Sequence, residues 1–388
     1  MIYLDNHSTT RCDTAVVDAM LPWLTQEYGN PHSSHAAGIA AADIIGRSIA
    51  TVAGLVGAKP DSIVFTSGAT ESNNLAIRGV CLHPRQKRRH IVTVTTEHPA
   101  VLDVVEDLKR DGFRVTIVPV IQSGSPGAGI VDIDRLAAAI DDDTAIVSVM
   151  AANNEVGSIA PMRAIADLVH DRGAVLHCDA TQVLGRSPID IAAMDIDLVS
   201  GSAHKFYGPK GIGVLVVGGG DRRIRLRPQI VGGGQQRGIR SGTMAPAMAV
   251  GLARALEICT ESMDADRVRI RAMRDTLWQR LCDGIAGIEL NGPALGGDDR
   301  LAGNLNFRLP TIEGESWMAA AAEVAFSTGS ACSNVDPTPS HVLMAMGLSE
   351  SEARRSARFG IGRFNTMDEM ERASAILVEA RDRLANLA

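Results

Sequence analysis

A lysine and a carboxylate follow two short apolar runs in this chain. Ser202-Ala203-His204-Lys205 comes after the run at residues 197–200, and Asp179 ends a second run that starts at Val175. A lysine among hydroxyl, imidazole and glycine residues suits imine formation with an aldehyde better than it suits a solvated charge. Pyridoxal phosphate needs a lysine for its aldehyde and a carboxylate for its ring nitrogen, so the pair predicts that cofactor. The pair alone is equally compatible with a structural salt bridge beside an exposed lysine.

Other predicted strand ends carry groups that suit the same cofactor. Gly68, Ala69 and Thr70 join a strand to a helix, where backbone N–H groups and the threonine hydroxyl can bind a phosphate. His98 ends another strand, and its imidazole can lie on a planar ring. Asn154 follows a further strand and offers an amide. We therefore predict one site built from five strand ends.

Cys332 lies in a segment of small and turn-forming residues, 327–339. That composition predicts an exposed, mobile loop, on which the thiol is an accessible nucleophile. Cys178, within an apolar run, is expected to be buried and inert. The alternative for Cys332 is a harmless surface cysteine.

The elements that must position these residues alternate along the chain. Strands are predicted at residues 63–65, 91–95, 115–118, 145–149, 174–178 and 198–200, with helices between them. This pattern predicts an α/β fold: a large domain with a mainly parallel sheet flanked by helices, and a smaller α+β C-terminal domain. We expect residues 1–14 to pack with the small domain, 15–255 to form the large cofactor-binding domain, and 256–388 to form the small domain with the cysteine loop. Ligands bind at the carboxyl ends of such strands.

Composition narrows the class of protein. The 388 residues are 45% apolar and carry a net charge of −7, which argues against nucleic-acid binding as the main role. Six cysteines without a Cys-x-x-Cys pair predict reduced thiols in the cytoplasm and no zinc or other metal site. No secretory signal and no apolar stretch near the about 20 residues of a membrane span are apparent. The basic run 85–90 is interpreted as a solvated loop, with a docking patch for an acidic partner as the alternative.

Taken in order, these motifs make the chain similar to the cysteine desulfurases of the NifS/IscS type, within the class-V aminotransferase family of fold-type-I pyridoxal phosphate enzymes. The resemblance runs nearly end to end and implies a large sheet of the seven-stranded type. The segments that carry it are residues 3–5 with 9–10, 28–33, 65–73, 96–98, 153–157, 177–182, 202–205, 237–243, 329–332 and 358–363.

The resemblance implies a role for each matching residue. Lys205 would form the Schiff base, with Asp179 on the ring nitrogen and Gln182 on the ring hydroxyl. His98 would stack on the ring and shuttle protons, including the one from the Cys332 thiol. The remaining cofactor contacts would come from Ala69, Thr70, Asn154, Ser202 and His204, with Thr243 reaching the phosphate from the second subunit of a homodimer.

The implied reaction removes sulfur from L-cysteine, giving L-alanine and a persulfide on Cys332. Asn154 and Arg358 would bind the substrate, and a sulfur-acceptor protein would take the sulfur toward iron–sulfur cluster assembly or another thiolation pathway. Alternatives are a selenocysteine lyase, another pyridoxal phosphate-dependent lyase or aminotransferase, or an inactive docking partner for sulfur carriers. The chain departs from many relatives at Asn6-His7-Ser8, where they are often Ala-rich, and we expect little effect from this difference.

Overall fold

The computed structural model describes residues 1–218, 222–328 and 338–386. The strands are β1 (Ile2–Tyr3), β2 (Ile63–Thr66), β3 (His90–Val94), β4 (Arg114–Val118), β5 (Thr144–Ser148), β6 (Val175–Asp179), β7 (Leu198–Ser202), β8 (Gly213–Val217), β9 (Glu289–Leu290), β10 (Asn304–Arg308), β11 (Val324–Ala325), β12 (Ser327–Thr328) and β13 (Ser356–Gly360). The helices are α1 (Thr14–Thr25), α2 (Ala36–Leu55), α3 (Ala69–Cys81), α4 (Pro99–Arg110), α5 (Ile133–Ala139), α6 (Met162–Asp171), α7 (Pro246–Gly284), α8 (Gly314–Ala320), α9 (His341–Ala345), α10 (Glu350–Arg354) and α11 (Met367–Ala385).

The large sheet has the strand order β2-β8-β7-β6-β5-β3-β4 in the described part of the chain. The pairs among β3 to β7 are parallel, whereas β8 is antiparallel to both of its neighbours. As β8 separates β2 from β7, β2 again points in the common direction. The carboxyl ends of β2, β3, β5, β6 and β7 therefore meet at one edge of the sheet, and the predicted α/β fold with a mainly parallel sheet is confirmed.

Both faces of this sheet are covered, which explains the continuous apolar runs of its strands. Within β3, Val92 packs into the core beneath α2 and α7, while Ile91 faces the core beneath α3 and α4. In β5, Val147 likewise packs into the core beneath α2 and α7, and Ile146 into the core beneath α3 and α4. Side chains alternate between faces along a strand, so one run serves both cores.

A second, antiparallel sheet has the order β12-β13-β10-β9. Its core contains the stacked rings of Phe307 and Phe359, whose centroids are 5.6 Å apart, and the buried Trp317. Helix α7 joins the two parts of the molecule. Its first half contributes Leu252 to the core of the large sheet, and its second half contributes Leu277 to this one.

The N-terminal segment also spans both parts. Strand β1 pairs in parallel with β11 of the C-terminal region, with Ile2 opposite Val324. A few residues later Thr10 donates its N–H to the carbonyl of His204, beyond β7 of the large sheet. Residues 5–9 are thereby stretched across the carboxyl edge of that sheet.

Helix α2 corrects one statement from the sequence. It has the length and mean hydropathy that a membrane-spanning helix requires, although no stretch of that kind was expected. One such helix is weak evidence for a membrane span, because core helices of soluble proteins meet the same criteria. Its buried positions include Ile45 and Val52, which belong to the core of the large sheet.

Candidate active site

The carboxyl edge of the large sheet opens onto a cavity of about 570 Å³, a volume in the usual range for a small-molecule site. Residues of the N-terminal segment and of β13 close its other side. The predicted site residues that line it are Ala69, Thr70, His98, Asn154, Asp179, Gln182, Ser202, His204, Lys205 and Arg358. The structure thus brings together side chains that are up to 289 residues apart in the sequence, from Ala69 to Arg358.

Lys205 lies in a single 3₁₀ turn, Ala203–Lys205, directly after β7. Its Nζ donates to the carbonyl oxygens of His7 at 2.7 Å and Ser8 at 2.8 Å. Burial, followed by the positive charges of Arg186 and Arg358, lowers the pKa of Lys205 to about 8. About a tenth of this amine is therefore uncharged at pH 7, far more than for an ordinary lysine, and the uncharged form is the one that attacks an aldehyde.

Asp179, the last residue of β6, points a fixed carboxylate at the cavity. Its Oδ2 accepts from Asn73 Nδ2 at 2.8 Å, and its Oδ1 accepts from the backbone N–H of Thr181 at 2.9 Å. The carboxylate is 5% exposed. These two donors fix the orientation of an acceptor suited to a protonated ring nitrogen. Asn73 was missed in the sequence, where it looked like one polar residue of a helix.

The start of α3 is suited to an anion. Its N-cap is Gly68, which has no side chain to accept the first N–H groups of the helix. Ala69, Thr70 and Ser202 line the cavity beside it. These groups therefore form the side of the cavity on which a phosphate is expected.

His204 lies on the same side. Its Nδ1 is 3.0 Å from Thr9 Oγ1. Burial and then the charge of Lys205 lower the pKa of His204 to about 4, so its ring is neutral at neutral pH. A neutral imidazole can still donate one hydrogen bond to an anion.

His98 forms the N-cap of α4 and accepts the backbone N–H of Ala100 at Nδ1, at 3.0 Å. Burial lowers the pKa of this imidazole, which favours the neutral form. With Nδ1 used as an acceptor, the single ring proton belongs on Nε2. His98 in this state is a hydrogen-bond donor at Nε2, and it can take a proton only at Nδ1, in place of the hydrogen bond from Ala100.

Arg358, in β13, is 7% exposed and is held on several sides. Its Nη2 donates to Asp5 Oδ1 at 2.9 Å, Ser8 Oγ at 2.6 Å and Ser327 Oγ at 2.9 Å. Its Nη1 is 3.2 Å from the carbonyl oxygen of Asn154. The N-terminal segment and the second sheet thus fix a guanidinium at the cavity wall, where a carboxylate of a small ligand can be bound.

The side-chain amide of Gln182 forms hydrogen bonds with two residues, His7 and Arg186, for which the sequence predicted no chemical role. Its Nε2 donates to the carbonyl of His7 at 3.0 Å, and its Oε1 accepts from Arg186 Nη1 at 3.2 Å. The Arg186 guanidinium in turn binds the carbonyl of Lys205. Gln182 and Arg186 are four residues apart, within one turn of chain, whereas no spacing rule relates His7 to Gln182, so only the fold reveals that contact.

Thr243 does not line this cavity. It is exposed, and its assignment to a second subunit's site stays a prediction. Cys332 lies outside the described residues, so its predicted role also stays a prediction. Cys178 is buried in β6, and burial raises the pKa of its thiol well above the usual range, as expected for an inert packing residue.

Comparisons with known proteins decide the family. A sequence profile for the aminotransferase class-V family matches residues 2–373. The chain belongs to that family. The cysteine desulfurase IscS of Rickettsia africae is 42% identical over 387 residues, which cover 100% of this chain and 92% of the relative. Within the family, the chain therefore groups with the cysteine desulfurases.

Solved structures agree with this grouping. A NifS-like protein matches with a TM-score of 0.90 and 34% identity, covering 98% of this chain and 99% of that one. SspA in complex with cysteine matches with a TM-score of 0.80 and 32% identity, covering 94% of this chain and 100% of that one.

Pyridoxal phosphate is the cofactor of this family of enzymes, and the residues present fit it. The uncapped start of α3 suits its phosphate, the Asp179 carboxylate suits its ring nitrogen, and Lys205 suits its aldehyde. The buried hydroxyl of Thr181 has no hydrogen-bond partner within the described residues, which suits a polar ligand in the cavity.

Proposed function

We propose that this chain is a cysteine desulfurase that uses the cavity to convert L-cysteine to L-alanine, with Cys332 receiving the sulfur as a persulfide. The observation that carries the proposal is the convergence of Lys205, Asp179 and Arg358 on one cavity. In the overall reaction the Cβ–S bond of cysteine breaks, an S–S bond to Cys332 forms, and alanine carries the hydrogen that replaces the sulfur. The names of the relatives and the cysteine bound to SspA support this substrate.

In this proposal, Lys205 binds the aldehyde carbon of pyridoxal phosphate, Asp179 binds the ring nitrogen, and the start of α3 with Ser202 and His204 binds the phosphate. Gln182 faces the ring hydroxyl. The bound cofactor supplies an electron sink for the Cα atom of the amino acid. The cavity contacts of all these residues support the assignment.

The chain's own residues position the substrate and move its protons. Arg358 binds the substrate carboxylate, giving energy and orientation together. Lys205 Nζ takes the Cα proton, for which its lowered pKa leaves it partly uncharged at neutral pH. His98 donates a hydrogen bond from Nε2, and it moves a proton by accepting one at Nδ1 and releasing the one on Nε2.

We further propose a homodimer, a sulfur-acceptor protein as partner, and a cytoplasmic location. Exposed apolar side chains support a covered surface: Leu24 on α1 is 61% exposed and Val231, in the segment that leads to Thr243, is 79% exposed. The unpaired thiols of the described cysteines support a reducing compartment. Domain boundaries near residues 14 and 255 are part of the same proposal.

The test compares Cys332→Ser with Cys282→Ser, which alters a partly exposed thiol of α7. We expect Cys332→Ser to bind pyridoxal phosphate with an unchanged absorption spectrum, but to form neither alanine at the wild-type rate nor a labelled persulfide. Cys282→Ser should behave as the wild type. Normal alanine formation by Cys332→Ser would refute the nucleophile, and a wild type that forms no alanine from L-cysteine would refute the function.

A further inference from the structure

Arg186 lies in the turn after β6, directly behind Lys205. Its guanidinium donates to the carbonyl oxygen of Lys205 from Nε at 3.0 Å and from Nη2 at 2.7 Å. It also donates to the carbonyl of Asn6, to Gln182 Oε1 and to His7 Nδ1. These acceptors are all uncharged, and the described residues give Arg186 no carboxylate partner. A partly buried positive charge that has only neutral acceptors is costly, which points to a role in the adjacent site.

His7 completes the arrangement. It is 1% exposed, and its Nδ1 is 2.8 Å from Arg186 Nη1. Burial and then the charge of Arg186 lower the pKa of His7 well below its ordinary value, so the ring is neutral. An arginine can only donate, so His7 Nδ1 accepts from Arg186 and the ring proton lies on Nε2, an atom without a hydrogen-bond partner among the described residues. Gln182 Oε1 lies 3.1 Å from the same Nδ1, and both atoms accept from the Arg186 guanidinium.

This assignment also determines the amide orientation of Gln182. Its Oε1 faces the Arg186 donor, and its Nε2 donates one hydrogen to the His7 carbonyl. A rotated amide would place its NH₂ group against the guanidinium, donor against donor. The second amide hydrogen of Gln182 is left over, and Gln182 lines the cavity. Gln182 is therefore a hydrogen-bond donor toward the site, which favours a negatively charged oxygen there.

Lys205 lies in the electrostatic field of this cation. Its own carbonyl binds Arg186, and its Nζ binds the carbonyls of His7 and Ser8. Charged or titratable groups face it from the neighbouring elements: Arg186, Arg358, Asp179, Asp5, His7, His98 and His204. The two arginines oppose the ammonium form, the two aspartates favour it, and the histidines with lowered pKa values add no full charge at neutral pH.

We propose that Arg186 and His7 are positioning residues, in which Arg186 disfavours the ammonium form of Lys205 and both together hold Gln182 as a donor toward the bound cofactor. The proposal rests on the proposed function, because it concerns the lysine and the amide expected to hold pyridoxal phosphate. A carboxylate in place of either partner would reverse the effect on Lys205.

The first test measures Lys205 in the full chain after removal of any cofactor. A short pulse with an acylating reagent at a series of pH values, read by mass spectrometry of the Lys205 peptide, gives the midpoint of its titration. We expect Arg186→Met to raise the midpoint by about 1 pH unit, because a nearby like charge is removed. Arg186→Lys keeps the charge and should stay within about 0.3 pH unit of the wild type.

Arg300→Met is the matched control. Arg300 is 1% exposed, has only backbone and amide acceptors, and lies away from the cavity. Its removal should leave the Lys205 midpoint unchanged. Arg186→Gln is a second neutral variant, which keeps an amide donor for the Lys205 carbonyl. If Arg186→Met and Arg186→Gln both fail to fold while Arg300→Met folds, the positioning role is overturned, because Arg186 would then be required for folding itself.

The second test measures Gln182 through the cofactor. His7→Ala should leave the Lys205 midpoint near the wild type but weaken pyridoxal phosphate binding by about tenfold, the loss expected for one oriented hydrogen bond to a charged oxygen. The absorption of the bound cofactor should titrate at a higher pH than in the wild type. An unchanged midpoint in the neutral Arg186 variants, or unchanged binding and absorption in His7→Ala, would overturn the proposal. These readouts remain measurable even if the wild type makes no alanine. Failure of the proposed function can therefore be distinguished from failure of the proposal for Arg186 and His7.

Discussion

Lys205 should make the cofactor-free chain less stable at neutral pH than it is at high pH. The pKa of about 8, against 10.5 for an ordinary lysine, corresponds to about 3 kcal/mol of unfavourable free energy for the ammonium form. Water in the cavity reduces this to about 2 kcal/mol. Because the folded pKa is depressed, the cost is constant below pH 8, declines between about pH 8 and 10.5, and is absent above that window.

Lys205→Met keeps most of the side-chain volume and removes the amine. We expect the free energy of unfolding of the wild type, minus that of Lys205→Met, to rise by about 2 kcal/mol between pH 7.5 and pH 10.5. Urea titrations of both cofactor-free proteins at several pH values measure this difference. Lys109→Met is the control, because Lys109 is exposed on α4 and its loss should give a difference independent of pH in this window.

The result that refutes the reasoning is a difference between wild type and Lys205→Met that stays flat from pH 7.5 to 10.5. A flat profile would mean that Lys205 titrates as it does in the unfolded chain. The burial and the two arginines around it would then have no net effect, and its reactivity at neutral pH would need another cause. The absolute difference at pH 7.5 is less informative, because Met also loses the hydrogen bonds to His7 and Ser8.

Two further predictions concern buried polar groups beside the cavity. Burial, and then the charge of Asp179, raises the pKa of the Glu97 carboxyl well above its ordinary value. The stability of the wild type relative to Glu97→Gln should therefore fall as the pH rises above about 4.5. A difference in melting temperature between the two proteins that stays constant from pH 5 to 8 would contradict this. Asn73→Ala removes the amide that donates to Asp179. It should lower the free energy of unfolding, measured by urea denaturation, by about 2 kcal/mol, and it should also weaken cofactor binding. Asn74→Ala, at the exposed neighbouring position, should change stability by about 0.5 kcal/mol or less, and equal losses in the two variants would show that the hydrogen bond to Asp179 is not the cause.

The fold was predictable because its signals are local. The strands of the large sheet are short apolar runs, buried on both faces, and their spacing with helices between them indicates a parallel sheet. The cavity residues followed from the same reasoning, since parallel strands place their carboxyl ends together. Asp179, Lys205 and His98 each come at or just after such an end.

The rest of the site could not be predicted because its contacts join distant positions. Asn73 reaches Asp179 from a helix, Arg186 reaches Lys205 from a turn, and His7 reaches Gln182 from the N-terminal segment. No period of 2 or 3.6 residues connects such pairs, and an arginine whose acceptors are all neutral has no sequence signature. The expectation that His7 matters little came from comparison with Ala-rich relatives, whereas its contacts here are with the lysine and the glutamine of the site.

The N-terminal segment determines whether the two halves of the site can act together. Asp5 binds Arg358 from the second sheet, the carbonyls of His7 and Ser8 bind the Lys205 amine, and Thr9 contacts His204. Each contact alone is modest, but all of them depend on the same five residues, which are anchored at one end by the pairing of β1 with β11. A displacement of that segment would therefore move the carboxylate-binding arginine and release the reactive amine in the same event. In the proposed function, a substrate carboxylate on Arg358 would compete with Asp5 for the guanidinium, so occupation of the cavity would act directly on the segment that holds Lys205.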